Sequence, residues 1–262
     1  MYGLKTEGIV VRSYDYGDGH RIVVLLTETL GKIKAVARGS RKMKSKFGAS
    51  LEPMSINHLM LHRKPSAELH TVTGCHLLDS NISLRSDMNR YAYASIMSEG
   101  IDLLCADEDP DREIYSFFKE GLRDVLIGVS PAPPVWLFMF RLLKHSGYRL
   151  DFFKCSSCDK KIHGNMRFYP AAGSVMCRDC GEDSSAGWPV SYKTLTSIRK
   201  LSADRELARS VEKDIGIIIR KYIKYQFDKD LKSLNYIKIF DSIAGKYSAA
   251  AIKSGCKAAL GS

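Results

Sequence analysis

The first eighty residues alternate between short apolar runs and clusters of turn-forming residues. β-Branched and aromatic side chains dominate the runs, while glycine, aspartate, serine and proline separate them, which is typical of strands joined by turns. The pattern predicts strands at residues 8–14, 21–27, 32–38, 54–62 and 69–73. Five strands whose longest connection joins the third to the fourth predict a small OB-fold barrel, although the strand count equally allows an SH3-like barrel.

Beyond residue 80 the apolar positions recur at the spacing of amphipathic helices. Helices are predicted at about residues 90–104, 112–127, 135–147, 191–201 and 205–231. The third begins after a cluster of prolines and is apolar nearly all round, which predicts a buried central helix. Asp111 stands where it can cap the second helix, and the last helix carries one apolar stripe.

The net charge of +11 is unevenly distributed along the 262 residues. Residues 1–80 carry twelve Lys and Arg against seven Asp and Glu, and residues 189–262 carry fifteen against seven. The segment between these two regions is slightly acidic. Two basic regions predict a polyanionic partner, with nucleic acid first and an acidic lipid or protein tail second, although solubility alone can produce such a bias.

A basic loop without any acidic residue follows the third predicted strand. Its five cations within nine residues are Arg38, Arg41, Lys42, Lys44 and Lys46. Glycine and serine keep the loop uncrowded, so it can follow a phosphate backbone with a salt-dependent affinity that carries no sequence information. Phe47, Tyr14 and Tyr16 could add stacking surfaces for unpaired bases. The alternative is a solvated loop, with these aromatic rings in the barrel core.

Five further cations belong to two other candidate sites. Arg12 and Arg21 lie near the ends of the first two predicted strands, where they either extend the basic face or pair with aspartates of the nearby turn. On the last helix, Arg220, Lys221 and Lys224 lie opposite the apolar stripe, and the first and third are one turn apart. They form either a solvated face or a second anion site, for DNA or for an acidic peptide whose apolar end needs a pocket.

Four cysteines form two C-x2-C pairs, Cys155 with Cys158 and Cys177 with Cys180, separated by eighteen residues. Four thiolates at this spacing can surround one Zn²⁺ and leave no coordination position for water or substrate. The predicted site is therefore structural, and we expect the metal, not a large core of its own, to fold the insert. The alternatives are two disulfides or four unrelated cysteines. Three further cysteines and the lack of an export signal indicate a reducing, cytoplasmic location.

None of the common catalytic motifs is present: the chain lacks a P-loop, an H-E-x-x-H helix and a G-x-S-x-G turn. We therefore expect no enzymatic activity. The acidic run Asp107–Asp111 imitates a carboxylate cluster of a metal-dependent nuclease, but so dense a run more often marks a helix start. Because no run of eighteen apolar residues occurs, we expect no membrane-spanning helix and no membrane partner.

Three segments resemble the RecO family of DNA repair and recombination mediators. The run EGIVVRSYDYGDGHRIVVLLTETLGKIKAVARGSRKMKSKFGASLEP resembles the N-terminal domain of that family. The insert CSSCDKK…RFYPAAGSVMCRDC resembles its zinc module, in which the cysteine pairs flank an aromatic-proline and glycine segment. The stretch DLKSLNYI resembles its closing segment, so the resemblance covers about residues 1–240.

The resemblance implies an α+β multidomain protein. An OB-fold that binds nucleic acid is expected at residues 1–80, a helical domain at 81–154 and 189–240, and a zinc-binding insert at 155–188. The tail at 241–262 has no counterpart in the family and is expected to be flexible. RecO proteins bind single- and double-stranded DNA and anneal complementary strands. With RecR they help load RecA onto DNA coated by single-strand-binding protein, and they have no catalytic centre.

The resemblance also implies roles for particular residues. The family's basic loop maps onto the five cations of residues 38–46, and its metal ligands map onto the paired cysteines. In the family, the acidic, apolar-ended tail of single-strand-binding protein docks on the helical domain, which makes Arg220 and Lys224 candidate contacts. The expected location is the cytoplasm, at the nucleoid. The competing interpretation is a zinc-ribbon factor that binds RNA or works with a polymerase.

Overall fold

The computed structural model describes residues 3–62, 69–181, 187–202 and 206–237. The tail predicted to be flexible, at 241–262, lies outside these residues, and so does the connection between the fourth and fifth predicted strands. Within the described ranges the chain forms a five-stranded barrel, a helical domain and a small sheet that carries the paired cysteines. The switch from strands to helices falls at residue 82, close to the predicted boundary.

Five strands build the barrel, and their bounds are Leu4–Tyr16 (β1), His20–Thr27 (β2), Gly31–Ala37 (β3), Ile56–His62 (β4) and His70–Asp79 (β5). They close in the order β1-β2-β3-β5-β4. β3 pairs with β5 in parallel, and β1 closes the barrel against β4 in antiparallel register. This topology confirms the OB-fold, and it decides against the SH3-like barrel that the strand count allowed.

Strands β1 and β2 are buried on both faces. Val10 and Leu25 point into the barrel interior, whereas Ile9 and Leu26 pack into the core of the helical domain. Double burial explains why these two strands read as continuous apolar runs and not as alternating ones. The barrel and the helices therefore share a large apolar contact.

The helices of the second domain within the described ranges include Ile82–Ser86 (α1), Met88–Leu104 (α2), Arg112–Ile127 (α3), Ala132–His145 (α4), Tyr192–Lys200 (α5) and Arg209–Phe227 (α6). Asp111 accepts hydrogen bonds from the backbone N–H groups of Glu113 and Ile114, so the predicted cap is confirmed. Helix α4 is the buried centre of the domain, and the Trp136 side chain on it is almost completely inaccessible to solvent.

Helix α6 is shorter than the predicted helix at 205–231. It begins at Arg209 because Ala208 is extended, and residues 203–205 lie outside the described part of the chain. It ends at Phe227 because Asp228 adopts a left-handed conformation with φ of 51°. The chain then turns back, which brings Asp228 and Asp230 onto the side of the helix that carries Arg220.

The paired cysteines belong to a small sheet whose strands are Asp151–Cys155 (β6), Met166–Tyr169 (β7), Ser174–Met176 (β8) and Trp188–Val190 (β9), in the order β6-β8-β7-β9. Its buried side chains, including Phe152 and Phe168, belong to the same apolar core as α4 and α6. The Phe168 ring lies 6.3 Å from the Tyr222 ring of α6. The insert therefore shares the core of the helical domain and does not depend on a metal alone.

An acidic segment between α2 and α3 attaches the helical domain to the barrel. The buried ammonium group of Lys32 on β3 donates a hydrogen bond to the carbonyl oxygen of Asp102 at 2.8 Å and lies 3.2 Å from the Asp107 carboxylate. Lys34 contacts the same carboxylate at 2.9 Å. A buried ammonium needs such partners, because an unpaired charge in the interior is strongly unfavourable.

The acidic segment also approaches the backbone of β3 closely. The backbone N–H of Glu108 donates to the carbonyl oxygen of Lys32 at 2.8 Å. At Gly31, which has φ of 69°, a Cβ atom would lie 2.2 Å from the carbonyl oxygen of Asp109. Glycine is required at this position both for the left-handed conformation and for the space.

Asp107→Asn is expected to lower the free energy of unfolding by roughly 1–2 kcal/mol, because Lys32 loses its opposite charge at a half-exposed and therefore screened carboxylate. Burial alone would raise the pKa of Asp107, but hydrogen bonds from Lys34 and Lys32 outweigh it and lower the pKa. A carboxyl with a lowered pKa stabilises the fold above its unfolded-state pKa, and this contribution is lost as the pH falls through the folded-state value. Denaturant unfolding at neutral and acidic pH measures both effects.

The matched control is Asp109→Asn, since Asp109 is exposed and forms no ion pair within the described residues. It should leave the free energy of unfolding nearly unchanged. An equal loss in both variants, or a difference from the wild type that persists in acid, would contradict the role of Asp107.

Candidate metal centre and nucleic-acid interface

The four cysteine sulfurs converge at one end of the small sheet. Cys155 ends β6 and Cys158 lies in the turn after it, while Cys177 and Cys180 lie in the turn after β8. The parallel pairing of β6 with β8 brings the two turns together. All four Sγ atoms lie within 4.8 Å of one another, and those of Cys158 and Cys177 are 3.8 Å apart.

This geometry fits a tetrahedral zinc site. A Zn–S bond of about 2.3 Å places two sulfurs of a tetrahedron about 3.8 Å apart. A disulfide needs about 2.05 Å between its sulfurs, and all four cysteines are free thiols in the structure. The alternative of two disulfides is therefore wrong, and the four side chains can hold a metal ion.

Hydrogen bonds from backbone N–H groups favour the thiolate form of Cys155, which is the form that binds a cation. The backbone N–H of Cys177 donates to Cys155 Sγ at 3.3 Å. Burial alone would raise the pKa of this thiol, but hydrogen bonds from the backbones of Cys177, Cys158 and Ser157 lower the pKa to about 6. Cys180 shifts the other way, because hydrogen bonding to Cys177 raises its pKa to about 12. Four thiolates this close repel one another, so their full ionisation requires a cation between them.

On the barrel, the basic loop packs against the hairpin that joins β1 to β2. The backbone N–H of Arg41 donates to the carbonyl oxygen of Gly19 at 3.2 Å, and that of Gly39 donates to His20 Nδ1 at 2.9 Å. Three of the loop cations are exposed and form no ion pair with any described residue: Arg38, Lys42 and Lys44. The loop therefore presents positive charge from a backbone that is fixed at several points.

The other two loop cations already have partners. Arg41 lies 3.4 Å from the Asp15 carboxylate. Lys46 donates to the carbonyl oxygen of Thr73 at 2.6 Å and lies 5.4 Å from the centre of the Phe47 ring. Phe47 itself is only 3% exposed and belongs to the barrel core, so its predicted role as a stacking surface is wrong.

Two tyrosines near the end of β1, the strand that leads into the hairpin contacted by the loop, remain accessible. Tyr14 is 47% exposed and Tyr16 is 53% exposed. Arg12 donates to the Tyr14 hydroxyl at 3.2 Å, which holds that side chain in place. These two rings, unlike Phe47, are available to stack on unpaired bases.

The two candidate strand arginines are both paired with acidic residues. Arg12 lies 3.0 Å from the Asp102 carboxylate of α2, and Arg21 lies 2.8 Å from Glu52 and 3.7 Å from Asp15. Their pairing was anticipated, but the shorter contacts are made to acids of other segments and not to those of the nearby turn. Part of their charge is therefore already neutralised, and their contact with DNA stays a prediction.

A groove of about 1120 Å³ runs along α6. Its apolar wall includes Trp136, Trp188, Ile217, Leu234 and Ile237. Trp188 is half-buried, packs against the core of the helical domain and lines the groove. The groove combines a wide apolar surface with charged side chains at its edge, which is the composition of a peptide- or ligand-binding groove.

The three cations predicted on α6 all line this groove. Arg220 makes a two-pronged contact with Asp230, in which its Nε lies 2.7 Å from Oδ1. Lys224 lies 2.7 Å from the Asp228 carboxylate. The ammonium group of Lys221 instead lies 4.3 Å above the Trp188 ring. Sequence spacing placed the cations on one helix face, but nothing local indicated which of them would be paired.

The acidic run at Asp107–Asp111 has structural roles. Asp107 contacts two lysines of the barrel, and Asp111 caps α3 and contacts His145. Among the residues that the structure describes, the only group of metal-binding side chains is the cysteine cluster. The helix-start interpretation of the run is confirmed for Asp111. None of the described helices combines the length and the apolar composition that crossing a bilayer requires.

An OB-fold barrel with an exposed basic loop, joined to a helical domain with a four-cysteine cluster that can hold a metal ion, defines a class of multidomain OB-fold proteins. Comparison with known families identifies which one. Residues 1–81 match the family described as Recombination protein O N terminal, and residues 85–235 match Recombination protein O C terminal. The chain belongs to the RecO family of DNA repair and recombination proteins, as its sequence resemblance implied.

Individual relatives agree with this assignment along most of the chain. A protein named DNA repair protein RecO from Clostridium novyi is 29% identical over 251 residues, which cover 89% of this chain and 94% of the relative. One of the same name from Dehalococcoides mccartyi is 27% identical over 244 residues, covering 90% and 95%. One from Anaeromyxobacter is 30% identical over 206 residues, covering 77% and 80%.

Cys158→Ser is expected to remove bound zinc and to lower the Tm by at least about 5 °C, because the two turns of the small sheet lose the ion that joins them. Metal analysis of the purified protein and thermal unfolding measure the two effects. Cys75→Ser is the matched control, since Cys75 lies on β5 outside the cluster and should keep the zinc. Equal zinc content in the wild type and Cys158→Ser would contradict the site.

Proposed function

We propose that this protein is a DNA-binding mediator of recombinational repair that acts without making or breaking covalent bonds. It binds single- and double-stranded DNA, anneals complementary strands, and with RecR helps load RecA onto DNA coated by single-strand-binding protein. The observation that carries the proposal is the basic loop of the OB-fold, on which Arg38, Lys42 and Lys44 are exposed, while Tyr14 and Tyr16 of β1 are exposed on the same barrel.

The loop suits a phosphate backbone for two reasons. The loop backbone is attached to the hairpin by the hydrogen bonds of Arg41 and Gly39. DNA binding therefore requires little further ordering of the loop. Phosphates that they neutralise release counterions, which supplies the affinity and makes it fall with salt. The two exposed tyrosines favour unpaired bases, whose faces are free to stack.

Annealing follows from charge neutralisation. Two complementary strands repel each other through their phosphates, and a protein that binds both lowers this repulsion and raises their local concentration. No reacting group is needed for this step. The metal centre would contribute by holding the small sheet, and through it α6, in the conformation that partners recognise.

The groove along α6 is the proposed docking surface for the tail of single-strand-binding protein. An acidic tail with an apolar end matches a groove whose wall is apolar and whose edge carries cations. Arg220 and Lys224 are engaged by Asp230 and Asp228, so a tail must compete for them. Lys221 has no acidic partner among the described residues, and its place over Trp188 puts a cation and an aromatic ring at one point.

The competing function is an RNA-binding or polymerase-associated factor. Both functions use a basic barrel, and they differ in the nucleic acid that wins a competition. DNA and RNA strands of the same sequence, competed for the protein at fixed salt, separate the two. Preference for RNA would favour the competing function.

Replacing Arg38, Lys42 and Lys44 by alanine should weaken binding of single-stranded DNA and make its logarithmic salt slope shallower by about 2, since three phosphate contacts are lost. Fluorescence anisotropy at several salt concentrations measures both. Arg112→Ala/Arg123→Ala/Lys144→Ala removes the same charge from exposed positions of the helical domain. If this control changes the slope as much as the loop variant does, general charge and not the loop determines the affinity.

Trp188→Ala and Lys221→Glu should each weaken binding of an acidic, apolar-ended peptide by about tenfold or more, because each removes a contact at the centre of the groove. Arg220→Ala should have a smaller effect, since Asp230 already pairs with Arg220. Titration of a labelled peptide measures the affinities. Unchanged affinity in both Trp188→Ala and Lys221→Glu places the tail elsewhere.

A further inference from the structure

A second basic surface lies on the outer edge of the small sheet, away from the α6 groove residues. We name it the zinc-edge patch, and it consists of Arg149, Phe153, Lys154, Lys160, Lys161 and Arg199. Four of these residues lie on β6 or in the segment that follows Cys158, close in sequence to the cysteine cluster. Five cations stand against the two nearby carboxylates of Asp151 and Asp159, and the patch is positive.

Two lysines of the patch stand directly opposite each other. Lys154 and Lys161 are partners in an antiparallel bridge, and both are exposed. Like charges placed opposite each other across a strand pair destabilise it. Lys154 is partly compensated by Asp159, whereas Lys161 forms no ion pair with a described residue. Such an arrangement is expected where an anionic ligand supplies the missing charge.

Arg149, two residues before β6, adds a further cation on the same stretch of chain. Arg149 is exposed and therefore adds to the positive field around the lysine pair. The patch thus presents several cations that successive phosphates of one DNA strand can contact.

An aromatic ring fixed beside the cations gives the patch its selectivity. The Phe153 side chain is 65% exposed on β6. The Arg199 guanidinium lies 5.6 Å from the centre of this ring, and it donates hydrogen bonds to the carbonyl oxygens of Phe152 at 2.9 Å and Phe153 at 3.3 Å. The arginine is held in one orientation by the backbone of β6, so ring and guanidinium form a rigid stacking platform.

We infer that the zinc-edge patch binds a second single strand of DNA while the basic loop of the barrel holds the first. Cations next to an open aromatic ring favour a strand whose bases are unpaired and able to stack. This inference rests on the proposed function, and it names the residues that take the second strand during annealing. The two surfaces lie on different domains, so one chain can hold both strands.

A strand-capture experiment tests the inference. One strand is immobilised, the zinc-loaded protein is added at a concentration where it is a single species by light scattering, and a labelled strand of non-complementary sequence follows. Two readouts are taken: protein bound to the immobilised strand, and labelled strand captured per protein. The variants are Phe153→Ala and Lys160→Ala/Lys161→Ala, and the matched control is Arg112→Ala/Arg123→Ala, which removes two exposed cations of α3.

Both patch variants should bind the immobilised strand within about twofold of the wild type and capture at least fivefold less of the labelled strand. The control should behave like the wild type in both readouts. A double-stranded competitor should displace the labelled strand poorly, because paired bases cannot stack on Phe153. Zinc content is measured for each variant. It should be unchanged, because the hydrogen bond that the backbone N–H of Cys155 donates to the carbonyl oxygen of Lys160 does not involve the lysine side chain.

Three results overturn the inference and separate it from the proposed function. If zinc-loaded patch variants capture as much labelled strand as the wild type, the second strand binds elsewhere. If the wild type binds the immobilised strand but captures no second strand, each chain has one DNA site. If the wild type does not bind the immobilised strand at all, the proposed function itself fails, and the inference fails with it.

Discussion

The small sheet depends on the convergence of four cysteine sulfurs within 4.8 Å of one another, together with the apolar core that it shares with the helical domain. A cation bound among these sulfurs would join the turn after β6 to the turn after β8 and reinforce the parallel pairing of these strands. β7, paired with β8, then carries Phe168 against Tyr222 of α6. The Phe168 ring also lies 5.8 Å from the Phe152 ring of β6, so ring contacts connect the strand that carries the zinc-edge patch to the helix that carries the groove. A defect at the metal should therefore disturb both surfaces while leaving the barrel intact.

The cations of this basic protein fall into two groups: those paired with acidic side chains and those without such a partner among the described residues. Lys32 and Lys34 are engaged by the acidic segment that attaches the helices to the barrel, so their charge serves the fold. Arg38, Lys42 and Lys44 have no such partner among the described residues and stay exposed. Net charge alone does not distinguish these groups. It is the unpaired cations that attract a polyanion, because a paired one must first give up a favourable contact.

Sequence reasoning succeeded where the signal is local. The spacing of the cysteine pairs, the apolar runs of the barrel and the cap at Asp111 are each determined within a few residues, and each prediction agrees with the structure. It failed where the outcome depends on distant segments. Phe47 follows a polar loop, yet it closes the barrel core. Arg12 pairs with Asp102, some ninety residues away in sequence. The left-handed turn at Asp228 returned two carboxylates to α6 and changed which cations of the groove are free.

We propose that the protein brings DNA strands together by binding them, without making or breaking covalent bonds. Annealing of complementary oligonucleotides, both coated with single-strand-binding protein, tests this most directly. The account predicts that the zinc-loaded protein accelerates the formation of intact duplex, that the acceleration weakens as salt rises, and that it needs no nucleotide cofactor. An annealing rate equal to that without the protein, or strands that are cleaved during the reaction, would contradict it.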